Sequence, residues 1–139
     1  MSFRHTTSFT VEWGDCDPAQ IVFYPNFLRW IDSAARHFFA AAGVPPWSEL
    51  EVTTGVIGAP LVEVSARFLR PATYGDEIGV ESWVDEWHDK TFVMKHVVRR
   101  GDVVLAEGRE VRIFARRHPN DPKRIVAVPP PEEIRALLG

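Results

Sequence analysis

The sequence predicts an α+β protein, in which one long central helix is wrapped by an antiparallel sheet of five or six strands, and three observations support this class. Only one segment carries a long helical pattern, and that segment is apolar along one broad face. Most of the chain after Gly58 alternates apolar and polar residues between short turns, as antiparallel strands do. The 139 residues have room for a single domain, spanning 1–139, so the helix must bury its apolar face against that sheet.

The first elements along the chain are a strand and the long helix. A strand is predicted over Ser8–Trp13, where aromatic and β-branched residues alternate with polar ones. The helix is predicted over Asn26–Ala42, because at about 100° per residue its apolar side chains gather on one face. Pro25 suits the first helical position, and Gly43 suits the end of the helix. A further short helical turn is predicted over Trp47–Val52.

The remaining segments are predicted to form a series of strands that ends in a helix. Each strand alternates or is rich in β-branched and aromatic residues, and segments typical of turns separate the strands. The predicted strands are Leu61–Leu69, Glu77–Trp87, Thr91–Arg99, Val103–Ala115 and Arg124–Val128, with turns at Pro71–Asp76, Arg100–Asp102 and His118–Lys123, and a C-terminal helix over Pro131–Leu138. The second face of the sheet is expected to carry Trp83, Trp87 and Phe92, which predicts that another copy of the chain covers it.

Composition and charge limit the kind of partner. Hydrophobic residues make up 45% of the chain and charged residues 25%, which are ordinary values for a globular protein. The net charge of −3 argues against a nucleic-acid-binding protein, and no apolar run reaches the ~20 residues of a membrane helix. Cys16 is the only cysteine, which excludes an internal disulfide and fits a reducing compartment. We therefore expect a cytoplasmic protein that binds neither nucleic acid nor membrane.

Two carboxylates stand in the loop that precedes the long helix. Asp15 and Asp17 lie in Gly14–Pro18, before a helix start that offers unpaired amides and a partial positive charge. Because Pro25 has no amide hydrogen, the amide of Tyr24 is the first donor available to stabilise an oxyanion. A carboxylate near that donor could attack a carbonyl or activate water. The alternative is that both aspartates only shape the turn, as aspartate usually does in such loops.

The motifs of other chemistries are missing from the sequence. It has no G-x-S-x-G elbow, no G-x-G-x-x-G and no Walker pattern. The five histidines show no metal-ligand spacing, so neither a metal nor another cofactor is expected. Cys16 stands between Asp15 and Asp17, whose negative charges disfavour a nucleophilic thiolate.

The string GDCDPAQIVFYPNFLRWID, from Gly14 to Asp32, closely resembles the 4-hydroxybenzoyl-CoA thioesterase family of the hotdog fold. The resemblance continues through the strings GVPPW, GVIGAP and VRIFA and covers nearly the whole chain. It implies a long helix wrapped by an antiparallel sheet, in agreement with the predicted order of elements. It also implies assembly into dimers and tetramers.

The resemblance also implies roles for individual residues. Asp17 corresponds to the catalytic carboxylate, and the Tyr24 amide corresponds to the oxyanion donor. In this family an acid on the helix receives the para-hydroxyl of an acyl ring bound between subunits, and that acid corresponds to Asp32. The alternative for Asp32 is a surface pair with Arg36 at i,i+4. Trp47 either lines the ring pocket or is a core aromatic.

Departures from the family pattern concern the substrate. Relatives of the 4-hydroxybenzoyl branch carry threonine beside the acyl pocket, where this chain has Ala59. They also carry a basic cluster where this chain has His88 and Asp89. Lys90 and Arg124 remain as cations for the coenzyme A phosphates, with solvated surface charges as the alternative interpretation.

The expected function is hydrolysis of an aromatic acyl-CoA thioester, 4-hydroxybenzoyl-CoA or a close analogue, with coenzyme A as part of the substrate and no separate cofactor. One alternative is a thioesterase for another aromatic or a short aliphatic acyl-CoA. The other is a non-catalytic hotdog protein that binds acyl-CoA. The carboxylate of Asp17 favours catalysis over binding alone.

Overall fold

The computed structural model describes residues 2–139, which contain seven strands and three α-helices. In chain order the elements are β1 (Arg4–Thr10), a 3₁₀ turn (Trp13–Asp15), α1 (Pro25–Ala41), α2 (Trp47–Thr54), β2 (Val56–Gly58), β3 (Leu61–Phe68), β4 (Glu77–Trp87), β5 (Thr91–Arg100), β6 (Val103–His118), β7 (Asp121–Val128) and α3 (Glu132–Leu138). The α+β class expected from the sequence is confirmed.

The seven strands form one antiparallel sheet in the order β1-β4-β5-β6-β2, and both β3 and β7 also pair with β6. Strand β6 is long enough for two partners on each edge. Strands β3 and β5 pair with the same residues of its middle and therefore lie on opposite edges, and β2 and β7 do the same at its end. The sheet has one strand more than the five or six expected. The additional strand is β2, whose three residues are too few to show an alternating pattern.

The longest helix, α1, packs against β1, β4 and β6 and buries one apolar face, as predicted. The buried side chains of that face are Phe27, Trp30, Ile31, Ala34, Ala35, Phe38 and Phe39. The helix ends just before Gly43, whose φ of 93° lies in the left-handed region that glycine adopts without strain. The shorter helices α2 and α3 contribute Leu50, Ile134 and Leu138 to the core.

Two apolar clusters lie side by side between α1 and the sheet. The Trp30 cluster comprises Val11, Val22, Phe27, Trp30, Ile31, Ala34, Ala72, Ile78, Val80, Val98, Leu105 and Ala106. The Phe92 cluster comprises Ala35, Phe38, Phe39, Val44, Leu50, Val56, Ala59, Val84, Phe92, Met94, Phe114, Ile134 and Leu138. Because α1 crosses from one cluster to the other, it connects the two ends of the sheet.

Strand β1 begins and ends earlier than the predicted strand over Ser8–Trp13. The amide of Asp15 donates to the backbone carbonyl of Glu12 at 3.0 Å, and the side chain of Asp15 accepts a hydrogen bond from the amide of Glu12 at 2.8 Å. This reciprocal cap closes a 3₁₀ turn at Trp13, whose ring is 75% exposed. The alternation at the end of the predicted strand therefore belongs to a capped turn.

Two of the three aromatic residues expected on the second face of the sheet lie in or against the core. Phe92 is buried and stacks on Phe114 with ring centroids 4.9 Å apart, and the half-buried Trp87 packs on Phe92 at 5.3 Å. A register shift between Val84 and Glu86 changes the alternation near the end of β4. Trp83, which precedes that shift, is half-buried beneath the guanidinium of Arg4, 4.0 Å from the ring centroid.

The apolar residues of β3 are more exposed than their alternation predicts. Val62, Val64 and Phe68 are 58%, 37% and 46% exposed. Strand β3 pairs only with β6 among the described residues, so one edge and much of its apolar surface remain uncovered in a single chain. Such an edge is a pairing surface for another chain.

The predicted loop over His118–Lys123 is a tight turn of Pro119 and Asn120, and β7 begins at Asp121. Pro122 is tolerated there because β7 pairs only with β6 among residues 2–139, which leaves its other edge without a ladder. Of the helices in those residues, none has the length and apolar character needed to cross a membrane.

Candidate active site

Asp15 is the structural aspartate of the loop before α1. Its Oδ2 accepts the amide of Glu12 at 2.8 Å, and its Oδ1 accepts Nη2 of Arg29 at 2.8 Å. The side-chain amide of Asn26 donates to the carbonyl of Asp15, also at 2.8 Å. Both carboxylate oxygens are therefore occupied, and two residues from the start of α1 bind the loop to the helix.

The carboxylate of Asp17 accepts fewer hydrogen bonds than that of Asp15. Its Oδ1 accepts the amide of Ala19 at 2.8 Å, whereas its Oδ2 has no hydrogen-bond partner within residues 2–139. The backbone folds tightly here, since the Asp17 amide donates to the carbonyl of Ile21 and Gln20 adopts a φ of 67°. The half-buried carboxylate is therefore held through Oδ1, and Oδ2 remains available to a substrate or a water molecule.

The Asp17 side chain lines a cavity of about 450 Å³. The other residues around this cavity are Trp13, Cys16, Pro18, Gln20, Thr73 and Tyr74. The rings of Trp13 and Tyr74 meet edge to face with centroids 5.8 Å apart, and both are exposed. This aromatic wall does not follow from the sequence of the loop, because Tyr74 is far from Trp13 along the chain.

Tyr24 caps the N-terminus of α1 with its backbone. Its carbonyl accepts the amide of Phe27 at 3.1 Å, and its own amide donates to no acceptor in the described part of the chain. The next residue, Pro25, has no amide hydrogen, as the sequence analysis expected. A free amide at the positive end of a helix of 17 residues is suited to stabilise a developing oxyanion.

Asp32 lies on α1 with its side chain 53% exposed. Its Oδ1 accepts Nη2 of Arg112 at 2.9 Å, and its Oδ2 has no partner among residues 2–139. The surface pair with Arg36 that the sequence suggested as an alternative is not formed. Arg112 thus replaces Arg36 as the ionic partner of Asp32.

Arg112 is the end of a buried polar chain that the sequence analysis missed. Glu110 accepts Nη2 of Arg112 at 2.6 Å and Nε at 3.2 Å, and it accepts Nε2 of His96 at 2.6 Å. Nδ1 of His96 lies 2.8 Å from the hydroxyl of Ser82. The side chains of His96 and Glu110 are 0% and 1% exposed, so both are shielded from bulk solvent.

The opposite charges of Glu110 and Arg112 stabilise each other in this buried network. Burial opposes ionisation of Glu110, but the hydrogen bonds from His96 and Arg112 outweigh it and lower the pKa of Glu110 from its ordinary value. Burial likewise opposes the charge on Arg112, but Glu110 and Asp32 outweigh it and raise the pKa of Arg112. The alternation of β6 contains the signal, since Glu110 and Arg112 occupy the same face as the buried Ala106 and Phe114.

Ala59 contacts Arg112, and Trp47 packs against the C-terminal part of α1. The buried Ala59 accepts Nη1 of Arg112 at its carbonyl, at 2.8 Å. Trp47 is half-buried and packs edge to face on Phe39, with centroids 5.6 Å apart. Trp47 also borders a small cavity of about 230 Å³. It therefore packs against the core on one side and lines a surface opening on the other.

Lys90 and Arg124 are both exposed, and neither forms an ion pair with residues 2–139. Lys90 stands in the turn between β4 and β5, and Arg124 stands in β7 next to the end of β6. These positions are at the end of the sheet where β5 begins. Both side chains are therefore cations available to a ligand.

The predicted site residues fall into two groups within one chain. The Asp17 loop adjoins the start of β4, because Val11 exchanges backbone hydrogen bonds with the residues just before Glu77. Lys90 follows the end of β4, whose 11 residues span about 35 Å. One chain therefore keeps its Asp17 far from its Lys90.

Comparisons with known proteins agree with this fold and this loop. A profile of the thioesterase-like superfamily matches residues 11–138. The chain is 41% identical to 4-hydroxybenzoyl-CoA thioesterase of Pseudomonas sp. strain CBS-3 over 134 residues, which is 93% of each protein. The solved complex of an aspartate-to-asparagine variant of 4-hydroxybenzoyl-CoA thioesterase with 4-hydroxybenzoyl-CoA matches with a TM-score of 0.91 and 38% identity, covering 98% of this chain and 99% of that one.

A gentisyl-coenzyme A thioesterase of solved structure matches with a TM-score of 0.79 and 32% identity, covering 96% of this chain and 98% of that one. These relatives match nearly the whole length of the chain and are named as thioesterases. The chain therefore belongs to the thioesterase-like superfamily and, within it, to the 4-hydroxybenzoyl-CoA thioesterase family of the hotdog fold.

Proposed function

We propose that this protein hydrolyses 4-hydroxybenzoyl-CoA to 4-hydroxybenzoate and coenzyme A. One observation carries the proposal: Asp17, which has one unpartnered carboxylate oxygen, lines an aromatic-walled cavity in a loop that Asn26 ties to the start of α1, two residues after Tyr24. This arrangement supplies a nucleophile or base and an oxyanion donor, which are the groups that acyl transfer requires. The relative with 41% identity is named for the same reaction.

In the proposed mechanism the thioester carbonyl oxygen accepts the amide of Tyr24. Asp17 then either attacks the carbonyl carbon or removes a proton from the water that attacks it. Direct attack breaks the C–S bond, releases coenzyme A thiolate and forms a mixed anhydride, which water hydrolyses. In the other route the proton taken from water passes to the departing thiolate. After a single turnover in ¹⁸O-water, label in Asp17 would establish direct attack, because it arises only when water hydrolyses the anhydride at the aspartyl carbon.

Asp32 is proposed to read the para-hydroxyl of the acyl ring through its unpartnered Oδ2. A benzoyl ring without the hydroxyl leaves that carboxylate unpaired, so the site discriminates against it. The test compares kcat/KM for 4-hydroxybenzoyl-CoA and benzoyl-CoA in the wild type and in Asp32→Ala. We expect the wild type to prefer the hydroxylated substrate and Asp32→Ala to lose most of the preference. Equal values in the wild type would refute this role of Asp32.

A panel of thioesters tests the proposal against its alternatives. Release of free thiol is measured with 4-hydroxybenzoyl-CoA, gentisyl-CoA, 1,4-dihydroxy-2-naphthoyl-CoA and acetyl-CoA. The highest kcat/KM is expected with 4-hydroxybenzoyl-CoA, because Trp47 borders a small opening that suits one ring. A higher value for another thioester would change the assigned acyl group. Binding without any thiol release would identify a non-catalytic protein.

We also propose that each complete site uses two copies of the chain, assembled as dimers and tetramers. In one chain Asp17 and Lys90 lie at opposite ends of β4, so a thioester at Asp17 would reach the cations of another copy. The exposed apolar surface and open edge of β3 offer a surface for such assembly. Light scattering is expected to give a mass about four times the 15.8 kDa of one chain. A monomer with full activity would contradict the proposal.

Lys90 and Arg124 are proposed to bind the phosphates of coenzyme A, and Trp47 and Ala59 to border the ring. The chemistry assigned to Asp17 needs no metal or redox cofactor, so dialysis against a chelator is expected to leave activity unchanged. An acyl-CoA substrate and a single cysteine support a cytoplasmic location. Lys90→Ala and Arg124→Ala are expected to raise KM with little change in kcat.

A further inference from the structure

A line of hydrogen-bonded polar side chains crosses the sheet between the two apolar clusters. Ser82 lies between Val80 of the Trp30 cluster and Val84 of the Phe92 cluster, and His96 lies between Val98 and Met94 in the same way. The line continues through Glu110 to Arg112 and ends at Asp32 on α1. Burying polar and charged side chains costs free energy unless each one is hydrogen-bonded. A function at Asp32, the half-exposed end of this line, would explain why the fold retains the buried groups.

All three guanidinium nitrogens of Arg112 form hydrogen bonds within the protein. Nε and Nη2 contact the two carboxylate oxygens of Glu110, and Nη1 donates to the carbonyl of Ala59 at 2.8 Å. Glu110 is in turn fixed by His96, and the side chain of Arg112 is only 7% exposed. The guanidinium plane therefore has one orientation, and in that orientation Nη2 also reaches Oδ1 of Asp32.

We propose that Arg112 is a positioning residue for acyl-group choice, which fixes the carboxylate of Asp32 so that Oδ2 faces the hydroxyl of the substrate ring. This inference rests on the proposed function, in which Asp32 reads that hydroxyl. An aspartate on an exposed helix face samples several rotamers, and Arg112 selects one of them by holding Oδ1. The same guanidinium also donates to the carbonyl of Ala59, which helps to fix its own orientation.

The planar fork of arginine is essential to this role. A lysine at position 112 keeps the positive charge that Glu110 requires, but a single ammonium group cannot bind Glu110, the carbonyl of Ala59 and Asp32 in the same geometry. Arg112→Lys therefore separates the positioning of Asp32 from the neutralisation of Glu110. A misplacement of about 1 Å in a positioned group costs up to about 100-fold in rate.

The experiment measures kcat/KM of Arg112→Lys for 4-hydroxybenzoyl-CoA and benzoyl-CoA, beside the wild type. We expect the preference for the hydroxylated substrate to fall about tenfold or more, with the value for benzoyl-CoA retained within about threefold. The matched control is Arg99→Lys, because Arg99 pairs with Glu81 on β4 and its side chain is 41% exposed. The control is expected to keep the wild-type preference.

A second variant covers the case in which Arg112→Lys does not fold. Arg112→Met combined with Glu110→Leu removes both buried charges together, which proteins tolerate far better than loss of one partner. This double variant leaves Asp32 without its anchor, so the same loss of preference is expected. Circular dichroism and thermal unfolding establish that each variant is folded.

Each outcome has a separate meaning. Loss of preference with benzoyl-CoA activity retained supports the positioning role of Arg112. An unchanged preference, or an equal fall for both substrates, overturns it and assigns Arg112 to stability alone. A wild type that does not distinguish the two substrates overturns instead the hydroxyl-reading role of Asp32 in the proposed function, and Asp17→Asn then tests the hydrolytic chemistry independently.

Discussion

The loop around Asp17 and the buried chain from Ser82 to Arg112 both hold carboxylates with hydrogen bonds, yet they leave them in opposite states. Glu110 uses both oxygens on His96 and Arg112 and is excluded from solvent. Asp17 uses one oxygen on a backbone amide, leaves the other without a partner and lines a cavity. A fully paired carboxylate stabilises the fold, and a half-paired one remains available for chemistry.

The largest effect is expected from breaking the paired region. Arg112→Met leaves Glu110 as a buried charge without its arginine, which is expected to cost about 3–5 kcal/mol of unfolding free energy. Chemical denaturation of the wild type and the variant measures this difference. Adding Glu110→Leu to Arg112→Met is expected to recover most of the loss. A single variant as stable as the wild type would show that the buried Glu110 does not need Arg112 as its ionic partner.

The next effect concerns the half-paired region. Asp17→Asn preserves the size of the side chain but removes its nucleophilicity and basicity, so kcat is expected to fall about 100-fold or more, with KM largely retained. Asp15→Asn is the matched control in the same loop. Because Asp15 pairs with Arg29 and Glu12, its variant is expected to lower thermal stability and to change kcat by less than about tenfold. An equal loss of kcat in the two variants would contradict the assignment of Asp17 as the catalytic carboxylate.

The buried Glu110 is expected to make the stability of the fold depend on pH in the acid range. The hydrogen bonds of His96 and Arg112 lower the pKa of Glu110 below its ordinary value of 4.5, against the effect of burial. A lowered pKa contributes stability above that ordinary value, and the contribution is lost as the pH falls through the folded-state pKa. Thermal unfolding from about pH 6 to about pH 3 is therefore expected to be steeper for the wild type than for Glu110→Gln. Parallel profiles would show that Glu110 makes no such contribution.

The smallest effect is expected from an exposed pair. Nη1 of Arg99 donates to Glu81 at 2.8 Å, and this hydrogen bond lowers the pKa of Glu81. Solvent screens the pair, so Arg99→Gln is expected to cost less than about 1 kcal/mol by chemical denaturation. The loss is expected to shrink further in high salt. A cost comparable with that of Arg112→Met would show that burial is not what separates the two arginines.

The sequence predicts the parts of the site that depend on local order. The loop from Gly14 to Pro18, the start of α1 and the apolar face of α1 follow from turn residues, a proline and helical spacing, and all three are present in the structure. The partner of Asp32 does not follow from local order. Arg112 is eighty residues away and reaches Asp32 only because α1 crosses β6, whereas Arg36 is close along the helix and forms no pair with it.

The sheet faces illustrate the same limit. A register shift after Val84 turns Trp87 toward Phe92, and an alternating pattern cannot reveal such a shift. The apolar residues of β3 do alternate, but a single chain leaves them exposed. Their burial depends on what lies beside the chain, which its own periodicity does not specify.

The anchoring of Asp32 by a residue on another element has a consequence for how the family diversifies. Asp32 is half-exposed, so its replacement removes one ion pair and leaves the core intact. Arg112 is locked to Glu110, so its replacement endangers the fold before it alters selectivity. Under the proposed role of Asp32, adaptation to a new acyl ring is therefore accessible through single changes on the helix surface that leave the buried arginine in place.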